Sequence, residues 1–360
     1  MIEQDWTLVG DDGPPGRMGR HAVRRRGAWG LAVGTFFGLV VAAGLVLVPL
    51  PYAIMSPGPI TDTLGDIDGQ KIIDVPSAES YPTSGSLFFT TVSLRGGPGS
   101  PVNIYDLIGA RLSGESEILD EASVFPEGVT QQQVEDDNAA EMADSQSVAT
   151  AVALRALGQE VAPEIYLSSV LDDGASAGLL APGDVLVKVN DVPATDADAV
   201  RAAVVAEPPG TALPIVIQRE GTEQTVSVTS RDVEGRAVIG VIMGTRYDLP
   251  VDVSIHAGAV GGPSAGTMFA LGIYDVLTPG ELTGGESIAG TGTISDSGAV
   301  GAIGGIREKL VGARNGGARW FLAPADNCNE VVDHVPDGLQ VIRVATFDDA
   351  LAAVEAIGEH

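Results

Sequence analysis

The sequence predicts an α+β chain of several domains behind one N-terminal transmembrane helix. Three observations carry that expectation. The length, 360 residues, exceeds what a single hydrophobic core usually holds. A long uncharged run near the N-terminus is followed by segments that switch between strand-like and helix-like patterns. Hydrophobic residues make up 44% and charged residues 19%, which supplies material for packed cores and excludes a largely disordered chain.

The uncharged run extends from Gly27 to Thr61, and its core is Ala28–Leu50. At ~1.5 Å per residue a helix over 28–50 can cross a hydrocarbon layer of ~30 Å. Arg17, Arg20, Arg24, Arg25 and Arg26 precede it, and the next basic residue is Lys71. That asymmetry predicts residues 1–27 as a cytoplasmic basic tail, with the C-terminal domains outside the cytoplasm and the cell membrane as the location. No small-residue cleavage site follows the run, so an uncleaved anchor is expected rather than a signal peptide.

Charge excludes other classes. Asp and Glu number 48 against 20 Lys and Arg, a net charge of -28, which phosphate backbones repel, so no nucleic-acid partner is expected. The three lysines are Lys71, Lys188 and Lys309, and none is followed by Ser or Thr, so the P-loop lysine of an ATPase is missing. One cysteine, Cys328, and no HExxH pair leave no metal site to expect, and no cofactor is called for.

Residues 56–158 form an α/β region. Ser56–Asp62 (SPGPITD) reads as a turn-rich exit from the membrane, Ser86–Leu94 as a strand and Val102–Leu112 as a short helix. Residues 126–138 read as loop or exposed helix start, with Glu135, Asp136 and Asp137 on a solvated face. Glu141–Leu157 reads as a helix that Gly158 ends.

A second module spans 160–232. Tyr166–Val170 is strand-like, Ala181–Asp184 a turn, Val185–Val189 a buried strand and Asn190-Asp191 a hairpin signal. Asp196–Ala206 reads as a helix, and Leu213–Arg219 and Thr225–Thr229 as strands around Glu220-Gly221. This order, with Gly178-Leu179-Leu180 before Gly183-Asp184, resembles a PDZ domain of the bacterial protease type, a partly open β-barrel. The resemblance implies capture of an extended peptide beside a sheet edge. Gly158–Pro163 occupies the place expected for the carboxylate-binding loop and lacks its usual pattern.

The last third carries the chemistry. Small residues in His256–Gly266 (HAGAVGGPSAG) let a substrate backbone approach Ser264. Pro263 suits a first helical position, and the unpaired amides of a helix start can hold an oxyanion. A serine nucleophile needs a base. His256 lies eight residues upstream of Ser264, and Lys309 lies in the helical stretch after Ile303–Ile306. A lysine is a base only when neutral, which burial promotes.

GPSAG, then Thr291-Gly292, then GAVGAIGGIREK in this order resembles the proteolytic domain of Lon proteases over residues 235–357, which implies a C-terminal Lon-type α/β proteolytic domain. The resemblance implies Ser264 as nucleophile, Lys309 as general base and Thr291 as a supporting hydroxyl. Two positions depart from ATP-dependent Lon: Gly261 replaces an acidic residue and Thr293 replaces Glu. With the missing P-loop, they resemble the membrane-anchored PDZ–Lon proteins of Gram-positive bacteria. The segment around Met142–Gln146 also resembles that family. The implied function is an ATP-independent serine endopeptidase acting on unfolded or extended protein segments, in a six-membered ring of identical chains. The competing expectation is a catalytically weak PDZ scaffold or a regulator of another protease.

Overall fold

The computed structural model describes residues 33–40, 43–126 and 128–359. Among them no helix is long and apolar enough to cross a membrane. This corrects the expected transmembrane helix over 28–50. The described helical residues there are 33–40 and 43–46, and the chain turns at Leu47. Pro49 and Pro51 follow, and each lacks the amide a continuing helix needs. The expected single-pass location in the cell membrane rested on that span and falls with it. The tail 1–27 and residues 28–32, 41 and 42 of the expected helix lie outside the described residues.

Strand β1 (Tyr52–Asp62) takes up the segment expected to be turn-rich. It pairs antiparallel with β2 (Ser86–Arg95), and the pairing shifts register between Pro57 and Ile60. Pro57 and Pro59 cannot serve as ladder donors, so the strand survives as a bulged one. Helix α1 (Ile104–Ser113) starts at Asn103, whose side chain accepts from Tyr105 and Asp106 amides. Strand β3 (Glu117–Asp120) pairs with the outer side of β1.

Helix α2 (Gln131–Ala156) begins ten residues before the expected Glu141. Thr130 and Gln133 form a capping box, a signal present in the sequence as T-x-x-Q. Its acidic residues Glu135, Asp136 and Asp137 are exposed.

An inserted module follows: β4 (Pro163–Val170), β5 (Val185–Val189), α3 (Ala197–Val205), β6 (Ala212–Arg219), β7 (Thr222–Thr229) and β8 (Val241–Tyr247). Its sheet runs β7-β6-β5-β4-β8, with β8 at one edge. Its own core contains Ile165, Leu167, Leu186, Val200, Ile215 and Ile217. Buried Asp184 takes two hydrogen bonds from Arg219, at 2.7 and 2.6 Å, which ties the turn before β5 to β6.

The chain then returns to the first body with α4 (Gly266–Leu277), β9 (Ser287–Gly290), α5 (Ile306–Asn315), β10 (Trp320–Pro324), β11 (Gln340–Val344) and α6 (Phe347–Gly358). The main sheet has the order β11-β10-β9-β2-β1-β3. Strands β2, β9, β10 and β11 are mutually parallel, whereas β1 and β3 are antiparallel additions. Residues 52–156 and 266–358 therefore share one sheet, and the core joins Leu87, Phe89 and Met142 to Met268, Phe269 and Leu322.

Helix α5 lies against β1. A Cβ on Gly312 would sit 2.8 Å from the Gly58 carbonyl oxygen, so only glycine permits this approach at the bulge. The Pro57-Gly58-Pro59 irregularity and Gly312 together bring α5 close to the sheet.

Asp275, near the C-terminal end of α4, is buried, and its Oδ2 lacks a hydrogen-bond partner among the described residues. Burial raises its pKa to about 6, opposed by the Leu282 amide and reinforced by Asp62. A carboxyl raised in the folded state stabilises the fold below its unfolded pKa, and that stability is lost as pH rises through about 6. Asp275→Asn should therefore raise the unfolding free energy at pH 7.5 by about 1–2 kcal/mol, with the gain shrinking toward zero at pH 4.5, in urea titrations at both pH values.

Candidate active site

Ser264 lies in the turn that enters α4. The helix begins at Gly266 with Ala265 as its N-cap, so Pro263 opens the preceding turn rather than the first helical position. The Gly266 amide donates to the Pro263 carbonyl at 3.3 Å. Thr291 directly follows β9, at the carboxyl end of a parallel strand, where α/β sheets place ligands. Lys309 is on the first turns of α5, and its amide donates to the Gly305 carbonyl at 3.0 Å.

These three residues meet. Lys309 Nζ is 2.8 Å from Ser264 Oγ and 2.9 Å from Thr291 Oγ1. Thr291 Oγ1 in turn donates to the Ser264 carbonyl at 3.0 Å. That last bond uses the threonine proton, so the threonine oxygen faces the amine as an acceptor. A neutral amine that donates to Thr291 then has its lone pair free for the Ser264 hydroxyl. Lys309 is 2% exposed, and Thr291 is fully buried. Burial lowers the Lys309 pKa to about 8.

The serine loop is anchored from three sides. The Gly292 amide donates to the Ser264 carbonyl at 2.8 Å. Ser145 Oγ, on α2, donates to the Pro263 carbonyl at 3.0 Å. The Gly262 amide donates to the Asn138 carbonyl at 3.0 Å. Sequence reasoning noticed Met142–Gln146 but gave it no role, and it missed Asn138. Gly261, which stands where an acidic residue was expected, lies against Asn138: a Cβ there would be 2.8 Å from Asn138 Cβ. A side chain at 261 requires the loop or α2 to shift. The backbone amides of Ser264 and Ala265 form no hydrogen bond among the described residues, which leaves them open as oxyanion donors.

His256 is not brought to the serine. Its amide donates to the Ile72 carbonyl at 2.8 Å. Its side chain lines a cavity of about 360 Å³ with Ile67, Met142, Gln146, Ile255 and Val260. Met142 and Gln146, which line this cavity, flank on α2 the Ser145 that anchors the serine loop.

A larger groove of about 660 Å³ lies on the inserted module, between α3 and β8. Val200, Val204, Ile239, Val241 and Met243 line it. The apolar run Ala237–Met243 was not singled out in the sequence, although it follows the turn glycine Gly235 and reads as a buried strand.

The family model described as the Lon protease (S16) C-terminal proteolytic domain matches residues 226–356. This stretch is a Lon-type proteolytic domain. The Lon-type domain is that of a serine peptidase. The Lon protease of Azospirillum brasilense is 36% identical over 135 residues, which is 36% of this chain and 16% of that one. The Lon protease of Campylobacter concisus is 38% identical over 110 residues, 29% of this chain and 13% of that one. The match thus spans about a sixth of the length of such relatives. Among solved structures, the PDZ domain of an SdrC-like protein from Listeria monocytogenes aligns with 22% of this chain and 85% of that one, at 18% identity and a TM-score of 0.21. The corresponding domain from Listeria innocua aligns with 22% and 92%, at 20% identity and the same TM-score of 0.21.

With three lysines in the chain, the titration of Lys309 can be followed directly. In a chain labelled at lysine 13Cε, the resonance lost in Lys309→Met should titrate with a midpoint near 8.

Proposed function

We propose that this chain is an ATP-independent serine endopeptidase in which Ser264 is the nucleophile and Lys309 the general base. The observation that carries the reading is the 2.8 Å contact between the buried Lys309 Nζ and the Oγ of the half-buried Ser264. Neutral Lys309 takes the Ser264 proton as Oγ attacks the scissile carbonyl. The Ser264 and Ala265 amides stabilise the developing oxyanion. The protonated amine then delivers its proton to the leaving nitrogen. Water, deprotonated by the neutral lysine, hydrolyses the acyl-enzyme. Thr291 holds the amine so that its lone pair faces the serine.

Substrates are unfolded or extended protein segments. The inserted module is a PDZ-type peptide binder. Its edge strand β8 offers unpaired backbone groups to an added strand, and the apolar groove beside α3 takes the alternate side chains.

Casein incubated without nucleotide should be cleaved by the wild-type chain and left intact by Ser264→Ala and Lys309→Ala, whose circular dichroism should match wild type. Cleavage by Ser264→Ala would overturn the dyad. The acylation rate should rise with pH to a plateau, with its midpoint near 8, since only the unprotonated amine is a base. Thr291→Val should lower kcat by roughly 10- to 100-fold with KM little changed, as expected for a group that orients the base.

A further inference from the structure

Both connections between the inserted module and the proteolytic body meet at one guanidinium. Arg155 is in the last turn of α2. Its Nε donates to the Val161 carbonyl at 2.7 Å, on the segment that enters the module. Its guanidinium lies over the ring of Tyr247, the last residue of β8, at 5.5 Å from the ring centre. Its Nη1 donates to Asp296 twice, to the backbone carbonyl at 2.8 Å and to Oδ1 at 2.9 Å. Beneath it a small apolar cluster contains Ala151, Leu154 and Val161, with Tyr247, Leu249 and Val251 packed against it.

Asp296 is at the tip of a hairpin in which Thr293–Ile294 pairs with Val300–Gly301. The Ser295 amide donates to the Ala299 carbonyl at 3.0 Å, and the Gly298 amide to the Ser295 carbonyl at 2.8 Å, so the tip is a closed turn. The base of the same hairpin carries Thr291 and Gly292. Gly292 holds the Ser264 carbonyl, and Thr267 Oγ1 holds the Gly292 carbonyl at 3.1 Å. Asp296, held by Arg155, is thus only five positions along the chain from Thr291, which touches the lysine and the serine.

We infer that Arg155 is a positioning residue that ties the module's edge strand to the Thr291 hairpin, so that the seating of β8 sets the placement of Thr291 against Lys309. The inference rests on the proposed dyad. Its physical content is a shared cation with three kinds of partner: a carbonyl on the entry segment, a carboxylate on the hairpin and an aromatic face on the exit strand. Loss of any one changes the geometry available to the others. β8 is also the strand that borders the module's groove, so a peptide added along it bears on the same contact.

The test is a double-mutant cycle in the full chain between Tyr247→Leu and Asp296→Asn, with Arg155→Lys as a third variant. A short chromogenic peptide reports kcat and KM, thermal melting reports integrity, and hydrogen exchange reports the amides of 292–298. Tyr247→Leu leaves the dyad untouched, but the Tyr247 hydroxyl also faces Asp296. Tyr247→Phe, which removes that hydroxyl and keeps the ring under Arg155, therefore serves as the control: it should keep wild-type kcat and exchange if the effect runs through Arg155. The expected result for Tyr247→Leu is a fall in kcat of about 3- to 10-fold with KM within about 2-fold, and faster exchange at 292–298. The double variant should be no worse than the worse single one. Arg155→Lys, which cannot serve both polar partners and stack, should resemble Tyr247→Leu. Wild-type kcat and exchange in Tyr247→Leu, or multiplying effects in the double variant, would overturn the tie. Exchange is also read in Ser264→Ala, where no turnover is needed. If wild type cleaves nothing yet Tyr247→Leu loosens 292–298, the dyad reading fails and the tie stands. If wild type cleaves and Tyr247→Leu is silent in both readouts, the tie fails alone.

Discussion

Lys309 holds its amine at 2% exposure, with two hydroxyls and no carboxylate as hydrogen-bond partners. Taking an ammonium out of water without a counter-charge is costly, and the amine lowers that cost by becoming neutral more readily. Many features around it serve that burial. The β1 bulge and Gly312 let α5 approach the sheet. Thr291 is fully buried at the end of β9 and gives the amine an acceptor that carries no charge. A carboxylate in its place would favour the ammonium and remove the base. The site is therefore built by excluding water from α5 as much as by supplying partners.

That exclusion needs the whole composite sheet. β2 pairs with β1 on one side and with β9, some two hundred residues later, on the other. The strand that precedes Thr291 is thus seated by residues 86–95, and the helix that carries Lys309 is seated by residues 52–62. The serine loop is fixed by α2 through Ser145 and Asn138. None of these supports belongs to the stretch 226–356 that the Lon-type family model matches. Conserving the domain's motifs is consequently insufficient for the site; the preceding hundred residues complete it. Gly261 follows the same logic. With Asn138 packed on its Cα, the position takes an acidic side chain only if the loop or α2 shifts, and the loop is held by backbone bonds to α2 instead.

The sequence was most legible where local chemistry decides. Asp196 caps α3 as its position implied, Asn190 turns a hairpin at positive φ, and Gly158 ends α2. The motifs named Ser264, Thr291 and Lys309, and the structure brings all three within hydrogen-bond distance. It was least legible where distant pairing overrides local preference. Pro57-Gly58-Pro59 reads as a turn in any window, and the pairing of Pro57 with Val92 and of Ile60 with Thr90 on β2 carries the strand through it as a bulge. The apolar run over 28–50 reads as a membrane span by hydropathy, yet the described helical residues stop at Val46, before Pro49, and Leu50 pairs with Val102. Ser145 lay in a segment whose resemblance was visible but whose role was not, and Asn138 carried no signal, because a hydroxyl or a carbonyl facing a loop 118 or more residues away leaves no periodic trace.

On the proposed reading, in which the module captures a peptide and no motor takes part, the insertion point of the module lets capture and cleavage cooperate. Ala237–Met243 borders the module's groove, and Ile255–Val260 borders the cavity that Met142 and Gln146 line. One short run of chain therefore walls both places. Between them, Tyr247 meets Arg155, and Ser254–Ile255 pairs with Ile73–Asp74 to re-enter the proteolytic body. A chain that walls two sites in succession restricts their separation more tightly than a flexible linker can, because paired strands hold it at both ends. An extended segment held along β8 is then kept at high local concentration for the serine. Binding energy gained in the groove can thus favour reaction at the dyad without any nucleotide being consumed.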